Sequence, residues 1–170
     1  MPTGLKQTSS IVAIGFELRE NGPNTFTQLG VDLNLSPLDR EVFVVQSIDM
    51  TLTAPNGIAG TDTAFASSLT TTRQQAVVSL GNSNCLAVAV NQIAAAGFVD
   101  GGVGFSQTPS ETPGTILPYI GIIATNDFFC QIEGANNVAA GFLSGKLYGY
   151  RAQASADIYA ALVQSEVLSA

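Results

Sequence analysis

The chain has 170 residues, 46% of them apolar and only 11% charged, which excludes intrinsic disorder and gives enough length to bury one core. Its net charge of −7 leaves six scattered cations (Lys6, Arg19, Arg40, Arg73, Lys146 and Arg151), so there is no basic stripe for nucleic acid and no polybasic signal for a membrane surface. Histidine is absent, which removes the commonest general base, the usual metal ligand and every Ser-His or Cys-His nucleophile pair.

No run approaches the ~20 apolar residues of a membrane-spanning helix, and residues 1–9 read as a polar N-terminal arm without the features of a secretory signal. Val12, Ile14, Phe16 and Leu18 alternate with Ala13, Gly15, Glu17 and Arg19, the period of a half-buried strand. After the turn formers Asn21-Gly22-Pro23-Asn24, the run Leu29, Val31, Leu33, Leu35 repeats the pattern, so the two segments are expected to form a hairpin. Glu41 to Thr53 is a long expected strand. Its first half, Val42-Phe43-Val44-Val45, is apolar on both faces, and its second half, with Ile48, Met50 and Leu52, on one. Such a strand passes from a covered region to an open one.

Ile58 to Thr72, rich in Ala, Ser and Thr, reads as a long surface loop with a contact role. Gln75–Leu80 and Asn84–Ile93 read as strands split by Gly81-Asn82-Ser83; alternation of Leu86, Val88 and Val90 with Ala outweighs the helix preference of alanine. Val99–Ser106 reads as a glycine-rich loop or bulged strand, and Gln107–Gly114 as a plain connection. Three more strands are expected at Ile116–Thr125, Phe128–Glu133 and Val138–Arg151, separated by Asn126-Asp127 and Gly134-Ala135-Asn136-Asn137. From Ser155 the period becomes helical, with Ser155 as cap and Asp157 in the first turn, so residues 155–168 are expected to form a helix, a last strand being the alternative. About eight to ten short strands without a βαβ rhythm predict an all-β, antiparallel two-sheet sandwich over residues 10–152, followed by a C-terminal segment at 153–170.

The search for chemistry returns little. Asp39 and Glu41 share a strand face with Asp49 further along, but Arg40 sits between the first two and no loop supplies the oxygen ligands of a Ca²⁺ site. Gly101-Gly102-Val103-Gly104 lacks the Lys and Ser/Thr of a phosphate loop. Cys85 and Cys130 fall inside apolar strand patterns and read as buried free thiols, with a single bridge as the other reading. Phe142, Tyr148 and Tyr150 form an aromatic ladder better suited to core or interface than to a stacked ligand. No catalytic residue, cofactor or metal is expected. The candidate subunit-interface residues are Ile158, Tyr159, Leu162 and Val163, a stripe at helical spacing that either packs back on its own sandwich or docks on a neighbour.

The segment Asn126 to Asn137, followed by Gly145-Lys146-Leu147-Tyr148-Gly149-Tyr150-Arg151, resembles the closing strands of small jelly-roll virion proteins, and Arg40–Thr53 resembles an early strand of the same roll. The resemblance implies a non-catalytic, self-associating capsid or head-decoration subunit, whose partners are copies of itself and other virion proteins. It also implies a place in the virion, assembled in the host cytoplasm. Members that package single-stranded genomes carry a basic N-terminal arm; this chain departs from them, and direct nucleic-acid binding is not expected. A surface poor in Lys and Glu agrees with extensive subunit contact, the other reading being an acidic monomer with an uncharged polar skin.

Overall fold

Strong two-residue periodicity makes strand the dominant element of this chain. The computed structural model describes residues 2–97, the backbone of 105–107, and 117–170. In chain order these hold β1 (Leu5–Gln7), β2 (Val12–Arg19), β3 (Thr27–Asp32), β4 (Glu41–Leu52), β5 (Thr63–Thr70), β6 (Cys85–Ala94), β7 (Phe105–Gln107), β8 (Gly121–Ile123), β9 (Asp127–Ala135), β10 (Phe142–Ala154) and α1 (Ala156–Leu168). Of the loop or bulged strand expected at Val99–Ser106 and the connection expected at Gln107–Gly114, residues 105–107 form β7, and the rest lies outside the described residues.

Two antiparallel sheets stack. The first runs β1-β10-β4-β8, with β2 continuing the line of β1 along β10, and the second runs β3-β9-β5-β6-β7. Set aside the short β1 and β7, and number the remaining eight strands in order. The first sheet then reads 1-8-3-6 and the second 2-7-4-5. Strands β2 and β10, β3 and β9, β4 and β8, and β5 and β6 all pair antiparallel. One long two-stranded ribbon has therefore been rolled up so that its successive parts fall alternately in the two layers. That winding is a jelly roll.

Between the layers lie Phe16, Phe43, Val45, Leu143 and Leu147 from the first sheet and Leu69, Phe128, Cys130 and Ile132 from the second. The Phe16 and Phe128 rings meet edge to face at 5.9 Å. Each large side chain buried here contributes about 1.5–3 kcal/mol relative to exposure. In β4 the inward-facing set switches from Phe43 and Val45 to Ile48, Met50 and Leu52. The register explains it: Gly149 opposes Val45 and Tyr148 opposes Ser47, so Gln46 is an extra residue in a β-bulge.

Several expectations are corrected. β2 and β3 do not form a hairpin. β2 pairs with β10 and β3 with β9, so the turn at residues 20–26 carries the chain from one layer to the other. The anchor is Glu20, buried at 3% exposure, whose carboxylate accepts Gly134 N–H at 2.6 Å and Gly141 N–H at 2.7 Å. The segment read as a surface loop contains β5, in the middle of the second sheet. It was hidden because its outward positions are Ala64, Ala66, Ser68 and Thr70, while Phe65 and Leu69 alone mark its inner face.

Gln75–Leu80, by contrast, is not a strand but an irregular cover over the outside of the second sheet. It is held there by Gln74 N–H donating to Gln28 Oε1 at 2.8 Å and by Val78 N–H donating to Ser68 Oγ at 3.3 Å. Beneath it Val88 and Val90 of β6 face outward, and Leu86 and Ala87 pack toward the core. The expected polar arm is tied down as well: Leu5 is buried and opposes Ala154, so the sandwich begins before residue 10 and β10 runs to Ala154. Of the expected strand at 116–125, β8 keeps only Gly121–Ile123.

Candidate functional site

The candidate interface stripe lies on α1, which starts one residue after β10 ends and folds back over the first sheet. Ile158, Tyr159, Leu162 and Val163 are half-buried against Leu5, Val42, Val44, Tyr150 and Ala152 of their own chain. This is why Val42-Phe43-Val44-Val45 is apolar on both faces: Phe43 and Val45 fill the sandwich, Val42 and Val44 the space under the helix. The helix starts at Ala156 with Ser155 in the N-cap position, but the Ser155 hydroxyl makes no capping bond. Gly4, at φ +83°, passes so close to Ile158 that a β-carbon there would collide with its side chain.

The far end of the helix is held by a side chain that sequence reading missed. The buried Glu166 carboxylate accepts Ala124 N–H at 2.8 Å and Thr125 N–H at 3.1 Å, and Asn84 Nδ2 donates to the Glu166 carbonyl at 3.4 Å. Burial pushes the Glu166 carboxyl above the usual range, and the facing charge of Asp127 adds to the shift against the opposing hydrogen bonds. A glutamate alone on a helical stripe carried no signal for this role. Past the clip, Val167 and Leu168 stand 60% and 76% exposed.

Among the described residues nothing covers the other half of the first sheet's outer face. There Gly15, Glu17, Asp49, Thr51, Ser144 and Lys146 line an open groove of about 650 Å³. Lys146 lies between Gly15 and Asp49 in the register, and Glu17 and Thr51 flank Ser144. A second groove, also about 650 Å³, lies on the outside of the second sheet between Val77, Val78 and Leu80 of the cover and Ala66, Val88 and Val90 of the strands, with Glu133 at its margin. The first groove mixes charged and polar side chains with Phe16 and glycine surface, and the second is largely apolar.

The carboxylates singled out from the sequence do not converge. Asp39 accepts from Ser36 Oγ at 2.8 Å in the turn before β4. Glu41 pairs with Arg151 at 3.0 Å and accepts Ser36 N–H at 2.9 Å, while the same arginine donates to the Leu33 and Asn34 carbonyls. Asp49 lies eight residues further along β4, roughly 25 Å away at the rise of an extended strand. Among the described residues no group of three or more acidic or cysteine side chains is placed to hold a metal.

The aromatic ladder divides: Tyr150 is buried under α1, whereas Phe142 is half-buried with the Arg19 guanidinium 5.9 Å from its ring. Both cysteines are free. Cys130 is in the core, where burial pushes its thiol up to about 11, and burial raises the half-buried Cys85 as well. Neither thiol is activated.

Comparison with known proteins finds no matching family model and no matching curated relative. The molecule offers faces and edges: a helix clipped across half of one sheet, an open groove beside it in which Glu17, Asp49 and Lys146 stand, a largely apolar groove on the other sheet, and Glu20, Glu41 and Glu166 committed to backbone amides.

Proposed function

We propose that this chain is a non-catalytic virion structural protein, a jelly-roll capsid subunit that associates with copies of itself in a viral shell. The observation that carries the reading is the combination of a jelly-roll winding with an exterior drawn from a chain only 11% charged. Interface centres are depleted of Lys, Glu and Asp, whose desolvation is costly. Weak contacts repeated by symmetry hold a closed assembly. On this reading the partners are further copies and other virion proteins, genome contact is left to other components, and the chain acts in the virion after assembly in the host cytoplasm. A decoration subunit on a phage head is the variant in which the same surface meets a different protein.

The test is direct. Light scattering and negative-stain microscopy of the purified chain at tens of micromolar should show oligomers or particles; a clean monomer over that range removes the reading. A second reading, a lectin-like carbohydrate-binding module, is favoured by the open groove in which Glu17, Asp49, Thr51, Ser144 and Lys146 meet beside Phe16. A glycan array with one strong hit, lost in Asp49→Ala, would put it first.

A further inference from the structure

We propose that the side of the sandwich formed by β2 and β3 is a homotypic interface, across which a second copy pairs antiparallel, β2 with β2 and β3 with β3. The inference rests on the self-association reading above and names the surface that performs it.

Each of these strands has a neighbour on one flank only, β10 for β2 and β9 for β3. Among the described residues nothing lies beyond either, so both offer a row of unpaired amides and carbonyls, over eight residues in β2 and six in β3. Monomeric proteins blunt such edges with proline, lysine or a bulge. Neither edge has a proline, a lysine or a bulge, and their charged residues, Glu17, Arg19 and Asp32, stand on the outer face rather than the inner one: the nearest prolines are Pro2, Pro23 and Pro37, no lysine lies between Lys6 and Lys146, and the bulges fall between inner strands, β4–β10 and β5–β6.

The side chains agree with the backbone. Ile14 and Val31 point into the layer between the sheets, yet are only half-buried because no strand closes that side. On the same inward face of each edge, Val12 is 41% and Leu29 40% exposed. The core is thus open at one side, along both edges. A two-fold axis perpendicular to the sheets closes it. Such an axis sets each edge strand antiparallel to its own copy, keeps inward residues inward, and extends both layers at once. Leu29 and Val12 are then covered by side chains of the second copy.

The experiment is sedimentation velocity on the full chain over a concentration series, comparing wild type with Val12→Lys, Leu29→Lys and, on the apolar groove of the second sheet, Leu80→Lys. A lysine directed into the open side blocks pairing, because its charge would be buried between the layers. Wild type is expected to associate. Either edge variant should raise the dissociation constant about tenfold or more, equivalent to roughly 1.4 kcal/mol, with an unchanged circular dichroism spectrum, and Leu80→Lys should behave as wild type. If wild type associates and both edge variants do so equally, or if Leu80→Lys alone dissociates it, this interface is wrong and the self-association reading stands. A wild type that stays monomeric throughout removes both.

Discussion

Replacing Glu20 tests how the chain crosses between the layers. Both carboxylate oxygens are in use, one on Gly134 N–H and the other on Gly141 N–H, at the end of β2 where the backbone leaves the first sheet. Neither glycine can be shielded by a side chain of its own. A β-carbon on Gly134 would lie 2.7 Å from the Phe65 ring, and one on Gly141 2.5 Å from it. Hydrogen bonds to a charged acceptor contribute roughly 1.5–3 kcal/mol each, and a buried amide left without a partner costs a similar amount. Glu20→Ala is therefore expected to lose about 3–5 kcal/mol, a large part of the 5–15 kcal/mol typical of a domain. Glu20→Gln keeps one acceptor oxygen and should lose about half as much. Urea unfolding followed by circular dichroism measures both, and an unchanged slope would keep the loss in the native state. Hydrogen exchange at the Gly134 and Gly141 amides should quicken in step. If Glu20→Ala costs less than about 1 kcal/mol, or Gln and Ala cost the same, the carboxylate is not the anchor of this crossing.

Glu166 makes stability depend on pH in a definite direction. Burial holds its folded-state value above 4.5, so the native chain keeps a proton that the unfolded chain has released, and stability falls as pH climbs from 4.5 through that raised value. A carboxamide resembles the protonated acid, so the stability difference between Glu166→Gln and wild type should shift in favour of Gln over about pH 4 to 8; a constant difference across that range contradicts the account. With thiol reagent at about pH 8, Cys130 should remain unlabelled in the native state and Cys85 should react slowly, both becoming fast in denaturant; rapid native labelling of Cys130 would show that its strand is not packed as described. A β-carbon on Gly149 would press on the Val44 carbonyl and lie 2.6 Å from the Phe43 ring. Gly149→Ala should therefore cost about 1–3 kcal/mol in thermal or urea unfolding, and a neutral result would mean that β10 and β4 can move apart there.

Where hydrophobic alternation is strong, sequence and structure agree: β2, β4, β9 and β10 are legible from Phe16, Phe43, Phe128 and Leu147 with their neighbours two residues away. β5 was not, because its outward positions are too small and polar to alternate visibly, and Ser68, Thr70 and Gln131 satisfy one another in a buried network that only the folded pairing creates. The false hairpin has a similar origin. Alternation identifies strands but not partners, and the residue that sends β3 to the other layer is an acid whose two acceptors meet glycines more than a hundred positions away. The terminal stripe was read as helical from its spacing, and α1 spans it; the surface it covers is explained only by Val42, Val44 and Tyr150, which the pattern alone could not assign to an outer face. The edges of β2 and β3 were invisible for the reason that strand order was.

The bulge at Gln46 also bears on how this fold can change over time. Removing that one residue would leave Val45, Ser47 and Ile48 in simple alternation, inward, outward, inward, with every other side chain still on its present side. A length change elsewhere in β4 would turn Ile48, Met50 and Leu52 to solvent or Val42 and Val44 into the sandwich. This strand thus has one point at which its length can drift, at the border between the half roofed by the helix and the half beyond it.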